Sequence, residues 1–149
     1  MSAGLRDDLL ADARLLLLVP ILLPWTVVFG GGALTLVYPW GLVSPWPLPV
    51  TVVPLSRYLL SLTSGLPRYL LAWPWSTFLY ACALAVTTAV HHLRVGPWLD
   101  DDATAALLAL AGASHLLVSL GLWRTGRIAV PLGTAVLWAL AWVVYAGDA

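Results

Sequence analysis

Residues 38–55 read YPWGLVSPWPLPVTVVPL, with five prolines and two tryptophans in an apolar stretch that carries no charge. The prolines exclude a continuous helix, because each removes a backbone donor and crowds the preceding turn. The apolar content is equally unlike a loop running over a wet surface. How this stretch is read decides the fold, because it separates two long apolar runs. In YPWG, Pro39 and Gly41 occupy the second and fourth places of a type I turn, and the β-branched ALTLV precedes them. Together they predict a short hairpin over residues 34–44. SPWPLP then continues as extended, polyproline-like chain.

From Pro54 the pattern becomes helical. Leu55, Tyr58, Leu59, Leu62 and Leu66 fall on one face and Ser56, Arg57, Ser61 and Ser64 on the other, with Leu60 the misfit. Gly65 and Pro67 stop the helix. About three turns cannot cross roughly 30 Å of hydrocarbon, so this helix is expected to lie in the membrane plane. The whole segment 33–66 is read as interfacial.

Composition sets that membrane frame. Of 149 residues, 61% are hydrophobic and 9% charged, and the mean hydropathy is +0.92. A soluble domain carries about 25% charged residues to wet its surface. The expectation is an all-α membrane protein, a four-transmembrane-helix bundle forming one domain over residues 1–149, located as a multi-pass protein in the cell membrane. Its spans are placed at about 9–29, 68–91, 103–122 and 128–146. The first ends at the glycines of residues 30–32, and Pro20 and Pro24 predict a bend within it. The third is capped by DDD at 100–102 and closed by WRTGR, and the fourth takes Pro131 in its first turn. The opening MSAGLRDDLLADARLLLLVP is read as retained, since aspartates interrupt its charged region and no small-residue cleavage site follows. Four spans place both termini on one face. Three arginines on that face (Arg6, Arg14, Arg94) against four opposite (Arg57, Arg68, Arg124, Arg127) leave the orientation open.

Charge and motif content exclude several function classes. Seven arginines balance seven aspartates, without lysine, glutamate or a basic patch, which argues against a nucleic-acid partner. Cys82 is the single cysteine, so no internal disulfide forms. His91, His92 and Asp100–Asp102 are metal-ligand residue types, but adjacent helical histidines diverge by about 100° and the aspartates serve as a cap. No metal and no cofactor is expected, and there is no nucleophile elbow, phosphate loop or zinc-protease motif.

His115, in AGASHLLVSLG, is the leading candidate. It lies 12 residues past Ala103, roughly 18 Å into the hydrocarbon at a rise of about 1.5 Å per residue. The same depth on the other spans is reached by Tyr80, Thr134 and the Pro24–Trp25–Thr26 region. The expectation is a buried polar layer in which Tyr80 or Thr134 bonds His115. Ala105, Ala109, Gly112 and Ser119 share its helix face, where small residues admit close packing. Thr77, Tyr80, Thr87 and His91 form a polar stripe along the second span, read as helix-packing glue in preference to a proton or water path. Trp138, Trp142 and Tyr145 stand at helical spacing as packing surface and interfacial anchor.

LPW at 23–25, YPWGL at 38–42, LPRYLLAWP at 66–74, LAGASHL at 110–116 and PLGTAVLW at 131–138 together resemble a family of small uncharacterised multi-pass membrane proteins of halophilic archaea. The likeness covers most of the chain. It implies no established activity and no catalytic residue, only that the Trp-Pro loop and the His115 segment are recurrent parts. The functional expectation is a non-enzymatic accessory or assembly subunit that docks another membrane protein, or a second copy of itself, within the lipid bilayer. Its contact surface is expected at Pro39, Trp40, Pro45, Trp46 and Pro47. Two alternatives stand beside it. One is a small transporter or channel subunit using His115; the other is an intramembrane enzyme, which would need a second ionisable group beside that histidine.

Overall fold

A computed structural model describes residues 15–61, 67–93 and 101–147. In it the run expected as a first span does not stay helical. A four-residue helix, α1 (Val19–Leu22), has Pro20 in its first turn, and Leu23 already has extended backbone. Pro24 disfavours helix at the residue before it, and the β-branched Thr26, Val27 and Val28 follow as strand β1 (Thr26–Gly30). Residues 9–14 of that expected span lie outside the described residues.

Gly31 and Gly32 have φ of 59° and 76°, two consecutive positive values that define a tight type I′ hairpin turn and that glycine accepts without steric cost. The chain folds back as β2 (Ala33–Tyr38), in register from Gly30↔Ala33 to Thr26↔Val37. A second two-residue turn, over Pro39 and Trp40, leads into β3 (Gly41–Trp46). The hairpin anticipated over 34–44 is present and extends to the pair Leu34↔Trp46. Pro45 lies where the β2–β3 register shifts between Leu34 and Leu36, a bulge that tolerates the missing backbone donor. Strand β4 (Thr51–Pro54) pairs with β3, and β5 (Ile128–Val130) pairs with β1. The sheet has five antiparallel strands in the order β4-β3-β2-β1-β5.

The remaining elements are helix α2 (Leu55–Ser61), a 3₁₀ turn (Arg68–Leu71), α3 (Ala72–Leu93), α4 (Asp101–Arg124) and α5 (Leu132–Gly147). Helix α4 packs between α3 and α5. It starts on Asp101 and Asp102, which favour its positive end. It stops in a Schellman motif: Gly126 has φ 79°, its N–H reaches Trp123 O at 3.0 Å, and Arg127 N–H reaches Leu122 O at 3.2 Å.

The all-α four-span bundle is therefore overturned, and the fold is α+β. Among the described residues only Arg68–Val90 and Asp101–Arg124 are long and apolar enough to cross a membrane, by length and composition. The expected first span resolves into α1 and β1. The expected fourth splits into β5 and a helix whose apolar part, Leu132–Ala146, falls short of that length. The multi-pass localisation rested on four spans and falls with them. Helix α2 turns its apolar side inward. Leu55 and Tyr58 pack on the protein's own core, and Tyr58 meets the Trp73 ring edge-on with centroids 5.1 Å apart. Leu60, the misfit of the helical pattern, is 85% exposed.

Two buried clusters hold these layers together. One joins Trp25, Tyr80, Leu108, Ala111 and Leu137 across α3, α4 and α5. The other joins the inner sheet face (Val28, Val37, Ala129) to Trp73, Val118 and Leu122.

Candidate functional site

His115 sits between the two clusters, fully buried. Its Nε2 is 2.7 Å from Thr26 Oγ1 on β1, and its Nδ1 is 3.3 Å from Ser76 Oγ on α3. Ser76 donates its hydroxyl proton to Trp73 O at 2.7 Å, so towards His115 it can only accept. Nδ1 then carries the ring proton and Nε2 accepts from Thr26. Thr26, its own proton spent, accepts from Ser119 Oγ at 3.2 Å. One neutral tautomer thus completes a directed chain from Ser119 through Thr26, His115 and Ser76 to the Trp73 carbonyl. Every member has its partner, which is what a buried polar network needs to stabilise a fold. The Trp25 indole stands edge-on to the imidazole, with centroids 5.1 Å apart.

The partners differ from those anticipated. Tyr80 donates to Leu17 O and Thr134 donates to Gly112 O at 3.0 Å, so neither hydroxyl reaches His115. Thr26 belongs to the region placed at the right depth, and Ser119 to the shared small-residue face. Ser76 was missed because counting depth in straight spans pairs His115 with Tyr80, one helical turn further along α3.

The polar stripe does not run as one path. Thr77 donates to Pro39 O at 2.9 Å, fastening the β2–β3 turn to α3, while Thr87 donates to Ala83 O of its own helix at 2.9 Å and meets Thr104 at 3.4 Å. The side chain of His91 lies outside the described residues, as do His92 and Asp100 of the weighed metal grouping.

The expected contact surface is only partly outward. Pro39 is buried and Pro45 half-buried, whereas Trp40, Trp46 and Pro47 are exposed. Trp40 is also engaged locally, donating its indole N–H to Ile21 O at 3.0 Å and stacking on Tyr38.

A larger apolar surface emerges from the strand register. On the outer sheet face Val130, Val27, Leu36, Val43 and Val52 stand opposite one another in a row crossing all five strands. A second row is Ile128, Phe29, Leu34 and Trp46. Phe29, Trp46, Val52, Ile128 and Val130 are exposed, and none of the described elements covers this face. An antiparallel sheet with one face in water alternates apolar and polar residues; here the outer rows are wholly apolar, and the hydroxyls of Thr26, Thr35 and Ser44 lie on the inner face among apolar neighbours. Sequence pattern hid these rows, because a strand apolar on both faces shows no alternation. The consecutive glycines between TVVF and ALTLV were the available signal.

A second, shallow groove of about 530 Å³ runs between α4 and α5, walled by Ala105, Ala109, Trp138, Ala141, Trp142 and Tyr145. This is the aromatic stripe anticipated on the fourth span. Trp138 anchors it by donating to Ala109 O at 3.0 Å. His115 is not part of its wall.

No curated protein matches the chain. The family model described as domain of unknown function (DUF8050) matches residues 5–149, so the chain belongs to that family.

Proposed function

We propose that the protein is a non-enzymatic accessory subunit that docks another membrane protein through the outer face of its sheet, with the lipid bilayer as its other apolar neighbour. The observation that carries this reading is the pair of apolar rows across the five strands. A protein partner is favoured for this face by the open sheet, which ends at β4 and β5. Strand edges carry backbone groups that hydrocarbon cannot satisfy but another polypeptide can. The His115 cluster suits a structural role, because its tautomer is fixed by bonds already made and its ring touches no second ionisable group among the described residues.

The test is photo-crosslinking in native cells, with a photoreactive phenylalanine analogue replacing Phe29 or Val52 and, as control, Ala113, which is exposed on α4. The expected result is one membrane protein attached from positions 29 and 52, absent from position 113 and lost when Trp46→Asp is added. Products that are only lipid, only copies of this chain, or identical from all three positions would overturn the reading.

A further inference from the structure

Between the inner sheet face and the helices lies a partly enclosed cavity of about 120 Å³. Val28, Val37 and Leu42 wall it from the sheet, and Trp73, Val118 and Leu122 from α3 and α4. Besides Thr35 on the sheet, three polar side chains, Tyr58, Tyr69 and Arg127, complete the wall from α2, the 3₁₀ turn and the turn after α4. They come from separate segments, and two are seated by glycines. A Cβ at Gly30 would lie 2.9 Å from Arg127 Cγ, so the arginine stem runs directly across the β1 backbone. A Cβ at Gly121 would overlap the Tyr69 ring, which lies flat on α4 for want of a side chain there. Among the described residues no carboxylate pairs with Arg127, while Asp101 and Asp102 stand at the opposite end of α4.

We infer that this cavity binds a small monocarboxylate with an apolar body of ring size, its carboxylate meeting Arg127 and the two phenols and its body lying against the valines, leucines and Trp73. An enclosed apolar cavity of about 150 Å³ accommodates benzene; this one is smaller, about 120 Å³, but only partly enclosed, so the apolar body enters it and the head projects through its mouth, where Arg127 is exposed. Chemistry supports the head, since guanidinium pairs with carboxylate through two parallel hydrogen bonds. Burial raises the Tyr58 hydroxyl above its ordinary range, with Tyr69 adding to this and Arg127 opposing it. The phenol therefore remains a proton donor at neutral pH. The site faces inward, so it is independent of docking at the outer sheet face.

The test uses para-fluorobenzoate, followed by its fluorine NMR signal, with the full chain in discs of zwitterionic lipid and empty discs as blank. Saturable binding is expected, weakened about tenfold or more by Arg127→Gln, the scale of one charge-assisted interaction. The neutral para-fluorobenzyl alcohol should bind wild type and Arg127→Gln equally. Gly121→Ala, which displaces Tyr69, should weaken both probes. No saturable binding beyond the empty discs, or equal benzoate binding by wild type and Arg127→Gln, would overturn the assignment. Failure here leaves the crosslinking result at Phe29 and Val52 untouched, so the two proposals fail separately.

Discussion

Both faces of the sheet carry bulky apolar residues, yet these have opposite fates. Val28, Val37 and Ala129 on the inner face are closed over by α3 and α4, whereas Phe29, Trp46, Val52 and Ile128 on the outer face are exposed. Apolar character alone therefore does not distinguish a core from a contact surface in this chain; the presence of a covering layer does. The inner face stabilises the monomer. The outer face lowers its free energy only when something else arrives, because the hydrophobic effect rewards apolar area removed from water, whatever removes it.

Two tryptophans, Trp73 packed against the inner face from α3 and Trp46 on the outer face, test this difference most severely. Trp73 is 1% exposed, donates to Tyr38 O at 3.0 Å and packs on Tyr58. Trp73→Ala should cost about 3–5 kcal/mol, as expected for truncating a buried aromatic. Trp46 is 58% exposed, and Trp46→Ala should change the stability of the isolated chain by no more than about 0.5 kcal/mol. Denaturant titration followed by circular dichroism measures both. Similar losses at the two sites would mean that the outer face is already packed.

The polar cluster behind the inner face is the next test. Thr26→Val preserves shape but leaves His115 Nε2 without its donor and Ser119 without its acceptor. The expected loss is about 1–3 kcal/mol, the cost of leaving a buried polar group unpaired. Thr26→Ser should recover most of it. Nitrogen NMR of the His115 ring should show Nδ1 protonated. An Nε2-protonated ring would reverse the chain of donors and remove the role assigned to Ser76.

What could be read from sequence follows the same division. Helix α4 was legible at both ends, since aspartates and a glycine mark its limits and its length suits no other element. The faces of α2 were legible down to Leu60, and His115 was recognisable as buried. Strands β1 and β5 were not, because LVPILLPWTVVFG and RIAVPLGTAVLW are apolar without alternation, and periodicity cannot separate a doubly apolar strand from a buried helix. Strand β5 has three residues, fewer than any pattern can register. Once β1 was absorbed into a span, the outer face could not be foreseen, and His115 was sought partners on helices when its closest hydroxyl, Thr26, comes from a strand.

The turn that makes β1 a strand gives a smaller, sharper effect. Gly31 has φ 59°, and a Cβ placed there would meet nothing within 4 Å. Gly31→Ala therefore suffers from backbone conformation alone, about 1–2 kcal/mol. Gly31→Asn should lose less, since asparagine tolerates the left-handed region. Equal stability of all three would be inconsistent with a type I′ turn here and with the β1–β2 register, and hence with either sheet face as described.

The smallest effect is expected at Phe29, on the uncovered face of β1 next to the edge strand β5. It is 46% exposed and stands opposite Leu34 and Ile128. Phe29→Thr keeps a residue suited to strands while removing most of the apolar area offered outward. In the isolated chain the change should stay within about 0.5 kcal/mol. If the outer face docks a protein, the same substitution should weaken that association by more than it weakens folding, since buried aromatics are common anchors of interfaces. A loss of folding stability comparable to that of Trp73→Ala would show that Phe29 is already enclosed, and the distinction between the two faces would collapse. A small folding effect with an undiminished crosslink from position 52 would instead move the contact from the β1–β5 side of the sheet towards its β4 edge.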